Sequence, residues 1–144
     1  VNFVYDDGGR AEAGFEGEVR DCVARSFAIA TETPYTVMYN LLNAATKVLN
    51  QVDGRSHGNA RKGVSRKTRD YVMEHLGWEW IPLVKVGVGC KVHLREEELP
   101  KGRIVARVSK HCVAVIDGVV HDTYDPSQGG TRCVYGIYRK KETA

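Results

Sequence analysis

The feature that most constrains the fold is the stretch RIVARVSKHCVAVIDGVVHD, residues 103–122. Two β-branched runs flank Asp117-Gly118, a dipeptide suited to the positive φ angles of a two-residue hairpin turn. Arg103 to Ser109 alternates, with Ile104, Ala106 and Val108 on one face. Cys112 to Ile116 is the next strand and Val119 to Asp122 its return. Arg132 to Arg139 alternates again, setting Val134, Gly136 and Tyr138 against Cys133, Tyr135 and Ile137. The second half of the chain therefore reads as an antiparallel meander.

The first half reads as helix. Val23, Phe27 and Ala30 recur at helical spacing in Asp21 to Ala30, with Asp21 at the N-cap or first turn and Cys22 in the first turn. A second helix is expected from the N-cap Thr33, with Pro34 at the first helical position, to about Asn50. Its stripe is Val37, Leu41, Ala45 and Val48, widened by Met38, Leu42 and Leu49. Ser65 caps a third helix, with Tyr71, Val72 and Leu76 inward and Gly77 just past its end. Trp78 and Trp80 follow as core or cleft aromatics, and Leu94 to Leu99 suggests a short helix stopped by Pro100. Helices first and strands afterwards argue for an α+β fold. Residues 1–20, broken by Gly8, Gly9, Gly14 and Gly17, read as an extended, partly mobile lead-in to a single domain over residues 21–144.

Composition removes several classes of function. A chain of 144 residues with 42% hydrophobic content builds one core. Its net charge of +3 falls short of the dense basic footprint of a nucleic-acid binder. The basic run around Arg55, Arg61, Lys62, Arg66, Lys67 and Arg69 is expected to be a solvated face. No window has the apolar length of a membrane span, and the N-terminal residues contain no apolar signal core, so a cytoplasmic location is expected. The cysteines Cys22, Cys90, Cys112 and Cys133 lack the spacing of a zinc knuckle or redox pair. All four are expected to be reduced, three in or near the core and one reactive. No cofactor is implied.

Cys22 is the reactive candidate. A thiol at a helix N-terminus gains from the helix dipole, and unpaired N–H groups there can stabilise an oxyanion. Asp21 works slightly against it. His111, opening a strand, is the expected base, and a third group should hold its other ring nitrogen. Hairpin register selects that group. With a two-residue turn Ile116 faces Val119 and Val113 faces Asp122, so His111, Val113, Asp122 and Tyr124 share a face. A three-residue loop would bring His121 and Asp125 there instead. Asp122 is favoured, Asp125 is second, and His121 and Asp117 point elsewhere. A metal site from His121, Asp122 and Asp125 is disfavoured because neighbouring strand residues diverge.

The ordered set, a cysteine opening DCVARSFAIAT, a third helix ending in GW, and LPKGRIVARVSKHCVAVIDGVVHDTYDP, resembles the papain-like cysteine peptidase superfamily. It is most similar to short bacterial leader peptidases that cut bacteriocin precursors, and to phage and bacterial relatives. The resemblance spans about Arg20 to Tyr138. It implies helices packed on an antiparallel sheet, Cys22 as nucleophile, His111 as base, Asp122 as orienting carboxylate, and a peptide or protein substrate. One departure stands out: where such enzymes carry an oxyanion-hole Gln about six residues before the nucleophile, this chain has Glu16, leaving Arg20 as a possible donor. Competing expectations are an NlpC-type cell-wall amidase with His121 as orienter, an acyltransferase using the same thiol, and a non-catalytic papain-fold binding or inhibitor module.

Overall fold

A computed structural model describes residues 2–17 and 20–142. Residues 1, 18 and 19 of the expected lead-in, and the last two residues of the expected domain, lie outside them. The fold is α+β. In chain order the elements are β1 (Phe3–Tyr5), α1 (Cys22–Thr31), α2 (Tyr35–Asp53), β2 (Gly58–Asn59), β3 (Gly63–Val64), α3 (Arg66–His75), β4 (Trp78–Pro82), a 3-10 turn (Glu96–Glu98), β5 (Arg103–Val108), β6 (His111–Ile116), β7 (Val119–Asp122) and β8 (Gly136–Lys140). The main sheet runs β1-β7-β6-β5-β8-β4, and only its β1–β7 edge is parallel.

The sheet divides the core in two. On one face Val105, Cys112, Ala114 and Tyr138 pack with α1, α2 and α3. On the other, Ile104, Ala106, Val108, Val113, Val115 and Val120 pack under Leu94, Leu99 and Val134. The expected alternation of β5 therefore holds. Helix α1 is pinned centrally: Ala24 and Phe27 are fully buried, and a fully buried side chain such as Phe27 contributes roughly 1.5–3 kcal/mol. This fixes the direction in which the first turn, with Cys22, meets β6.

Local signals set most boundaries. The Ser65 side chain accepts the Thr68 N–H at the start of α3, and Gly77 beyond its end has φ +82°. Asp117 and Gly118 both have positive φ, and Ile116 pairs with Val119 across the two-residue turn.

Several expectations are corrected. Pro34, extended at φ −54° and ψ 142°, is itself the N-cap of α2, since its carbonyl accepts the Met38 N–H. The buried stripe of α2 is Tyr35, Met38, Leu42, Ala45 and Thr46, whereas Val37 and Val48 are exposed. The helix carries apolar residues around more than half its girth, and its partners chose the face: Phe15 meets Tyr35 edge-on and Tyr39 at a tilt, and Thr46 meets Thr68 of α3. Tyr71 is likewise exposed and stacks on His75. The last strand begins at Gly136, not Arg132, because residues 132–134 pair instead with the 92–94 segment through Leu94 N–H to Arg132 and Val134 N–H to Val92.

That pairing explains the largest correction. Cys90 and Cys133, expected to be free thiols, form a disulfide with Cα atoms 5.9 Å apart. Nothing in their separation of 43 residues announces this; an irregular loop folded back against β8 brings them together. The lead-in is also more than a lead-in. Phe3 to Tyr5 pairs with Val120 to Asp122, and the Asp6 N–H donates to the Asp122 carbonyl.

Candidate active site

The site forms where the N-terminus of α1 meets the open end of the β6–β7 hairpin. Cys22 is the first residue of α1 and half-buried. Asp21 sits at the N-cap but makes no capping bond. Its carboxylate instead accepts the Tyr35 hydroxyl at 2.5 Å and pairs with Arg25 and Arg10. The first-turn N–H groups are thus left without a side-chain acceptor, which suits them to a developing oxyanion.

His111 opens β6 and is 6% exposed. The hairpin register, continued one pair past Ala114–His121, sets Val113 opposite Asp122. The expected diagonal contact follows: His111 Nε2 lies 2.6 Å from Asp122 Oδ2. Asp122 Oδ1 accepts the Thr123 N–H at 2.7 Å, and Tyr124 lies against the imidazole with ring centroids 5.2 Å apart. With Nε2 held by Asp122, Nδ1 is the nitrogen left for a thiol. Cys22 interacts with the same imidazole. The structure therefore brings Cys22, His111 and Asp122 together.

The other candidates lie elsewhere. His121 points away and meets Asp6 at 3.5 Å. Asp125 accepts the Ser127 N–H, and Asp117 that of Gly102, so both serve turns. His121, Asp122 and Asp125 do not converge. Glu16 and Arg20 are exposed, and the Arg20 N–H bonds the Arg61 carbonyl. Much of the basic run is engaged in its own surroundings: Arg66 pairs with Asp70 and lies over Trp80, and Lys67 pairs with Asp53. His57 is a buried structural histidine between Ser65 and Asp53.

Two functional neighbours escaped the sequence reading. The first is Cys112, buried beside Cys22 on the helix-facing side of β6. Hydrogen bonding to Cys112, then burial, pushes Cys22 up to about 12, while His111 pulls it down. Its bond to Cys22 pulls Cys112 down to about 6 against burial, helped by Arg107 and Arg69. The Arg107 Nη1 lies 3.4 Å from the Cys112 sulfur. The two thiols therefore share their ionisation as a pair, with Arg107 beside the inner sulfur. Burial pulls His111 down, but its bonds to Asp122 and Cys22 outweigh that and leave it at about 9. The second neighbour is Arg25, whose Nη2 lies 3.5 Å from Asp122 Oδ1. Its place three residues after Cys22 was legible in the sequence; its reach to a carboxylate 97 residues away was not.

No family model, curated protein or solved structure matches this chain. Among the described residues, no helix is long and apolar enough to cross a membrane.

Proposed function

We propose that the chain is a papain-like cysteine peptidase that hydrolyses a peptide or isopeptide bond through Cys22, His111 and Asp122. The observation that carries the reading is the 2.6 Å contact between His111 Nε2 and Asp122, made by an imidazole that also meets a thiol at a helix N-terminus. His111 takes the Cys22 proton at Nδ1, and the sulfur attacks the substrate carbonyl carbon. First-turn N–H groups of α1 stabilise the oxyanion. The imidazolium protonates the leaving amine, giving an acyl-enzyme. A water molecule, losing its proton to His111, attacks the thioester carbonyl, and the Cys22 sulfur leaves as the acid is released. Asp122 orients the ring and stabilises its charged form.

The substrate class is a peptide or protein. The cytoplasmic setting expected from the sequence fits poorly with the Cys90–Cys133 bond, since structural disulfides persist in oxidising compartments. An NlpC-type amidase with His121 as orienter finds no support in the position of that residue, which meets Asp6. A non-catalytic binding module is the second reading. Cys112 favours it, because a charge drawn to the inner sulfur opposes ionisation of Cys22.

Iodoacetamide alkylation of Cys22 across pH, in wild type and His111→Ala, separates the two. Rapid reaction below pH 7 that disappears in His111→Ala supports the peptidase, and Cys22→Ala should then reduce hydrolysis of a cleaved peptide by about 10³-fold or more. A free-thiol profile indifferent to His111 sinks the peptidase and leaves the binding module.

A further inference from the structure

The triad is backed by a row of buried charges. The Tyr35 hydroxyl donates to Asp21 Oδ2, Arg10 Nε approaches the same oxygen at 3.5 Å, and Arg25 Nη1 pairs with Asp21 Oδ1. The other prong of the same guanidinium reaches Asp122 Oδ1 at 3.5 Å, while Asp122 Oδ2 faces His111. The Asp21 and Asp122 side chains are 0% and 4% exposed, and that of Arg25 is 12% exposed. Carboxylates this deeply buried need polar partners for their oxygens, and Arg25 supplies one to each.

We propose that Arg25 is a positioning residue for the triad: its guanidinium bridges Asp21 and Asp122 and keeps the Asp122 Oδ2 aimed at His111. This rests on the peptidase reading and assigns a residue that the triad alone does not require. The backbone supports the placement. Gly8, at φ +72°, lies against α1 so closely that a Cβ there would stand 3.0 Å from the Arg25 carbonyl oxygen. The lead-in thereby delivers Arg10 to the far side of Asp21, and the Asp6 N–H to the backbone of Asp122. The groups facing the Asp122 carboxylate are then Arg25 from α1, His111 from β6, and the Thr123 N–H. Arg25 is the one permanent cation among them.

Without Arg25 the Asp122 Oδ1 loses its guanidinium partner and the carboxylate is free to turn from His111. A turned Asp122 no longer orients the imidazole, so the pairing of His111 with Cys22 weakens. The alkylation rate of Cys22 at pH 6–7 should accordingly fall about tenfold or more in Arg25→Gln. Arg25→Lys, which keeps the charge but not the two-pronged reach, should recover part of the rate. In an Asp122→Asn background neither substitution should slow alkylation further, because Arg25 acts through Asp122. Thermal unfolding of each variant reports loss of packing separately.

A wild-type rate in Arg25→Gln, or an equal slowing with and without Asp122→Asn, overturns the proposal. If Arg25→Gln does not fold, Arg25→Lys decides, and a wild-type profile there overturns it. Should wild type and His111→Ala alkylate alike, the peptidase reading falls and takes this role with it. If those two differ but the Arg25 variants match wild type, the triad stands and only the positioning role fails.

Discussion

The two cysteine pairs of this chain meet opposite fates. Cys90 and Cys133 join an irregular loop to the approach of β8, and Cys90 lies exposed beside His93 and the Val92 carbonyl. They are oxidised. Cys22 and Cys112 lie between α1 and β6, among His111, Arg107 and Arg69, and remain thiols. The first pair ties down the exposed segment 84–91, and a covalent bond limits what the unfolded chain can explore. The second is held by a packed core and surrounded by cations, which stabilise a thiolate. Environment, not spacing, decides which sulfurs are bonded and which stay free.

The sharpest break of this contrast is removal of the structural bond. Closing a loop of 43 residues is worth about 4 kcal/mol in the chain-entropy treatment. Cys90→Ser with Cys133→Ser should lose stability of that order in urea unfolding while leaving the pH profile of Cys22 alkylation unchanged. A change in that profile would couple the two pairs and dissolve the distinction.

The chemical pair should make stability depend on pH. His111 stands at about 9 in the folded chain against an ordinary 6.5. A raised folded value means its contribution is complete below pH 6.5 and is lost as pH rises through about 9, an effect of order 3 kcal/mol. Urea unfolding of wild type and His111→Gln should therefore differ more at pH 6 than at pH 10. A constant difference would remove the charged imidazole from the account.

The smallest expected effect concerns Cys112 itself. Cys112→Ala should cost roughly 1 kcal/mol in packing. It should also speed Cys22 alkylation at pH 7 by about tenfold, since Cys112 is the foremost cause of the raised Cys22 value. An unchanged or slower rate would mean that the inner sulfur does not hold the charge.

How much of this was legible depends on how local the determining contacts are. The α3 cap at Ser65, the turn at Asp117-Gly118 and the β6–β7 register rest on residues close in sequence, and the turn and register point to Asp122. On α2 the pattern points to Met38, Leu42 and Ala45, which are buried, but also to Val37 and Val48, which are exposed, because its apolar residues span a wide arc and Phe15 and Thr68 chose among them. The strand β4 was not expected at all, since Trp78 and Trp80 take their strand character from pairing with β8.

The sequence by itself determined the helices-then-strands order and the alternation that sets Asp122 diagonally across from His111. These follow from backbone periodicity and turn geometry, which act over a few residues. Only the tertiary structure decided that Cys112 would lie behind Cys22, that Arg25 would span two carboxylates, that Phe3 to Tyr5 would add a strand, and that Cys90 would find Cys133. Each of these joins segments far apart in the chain, where no periodicity links one residue to the other and packing of the whole core selects the partner.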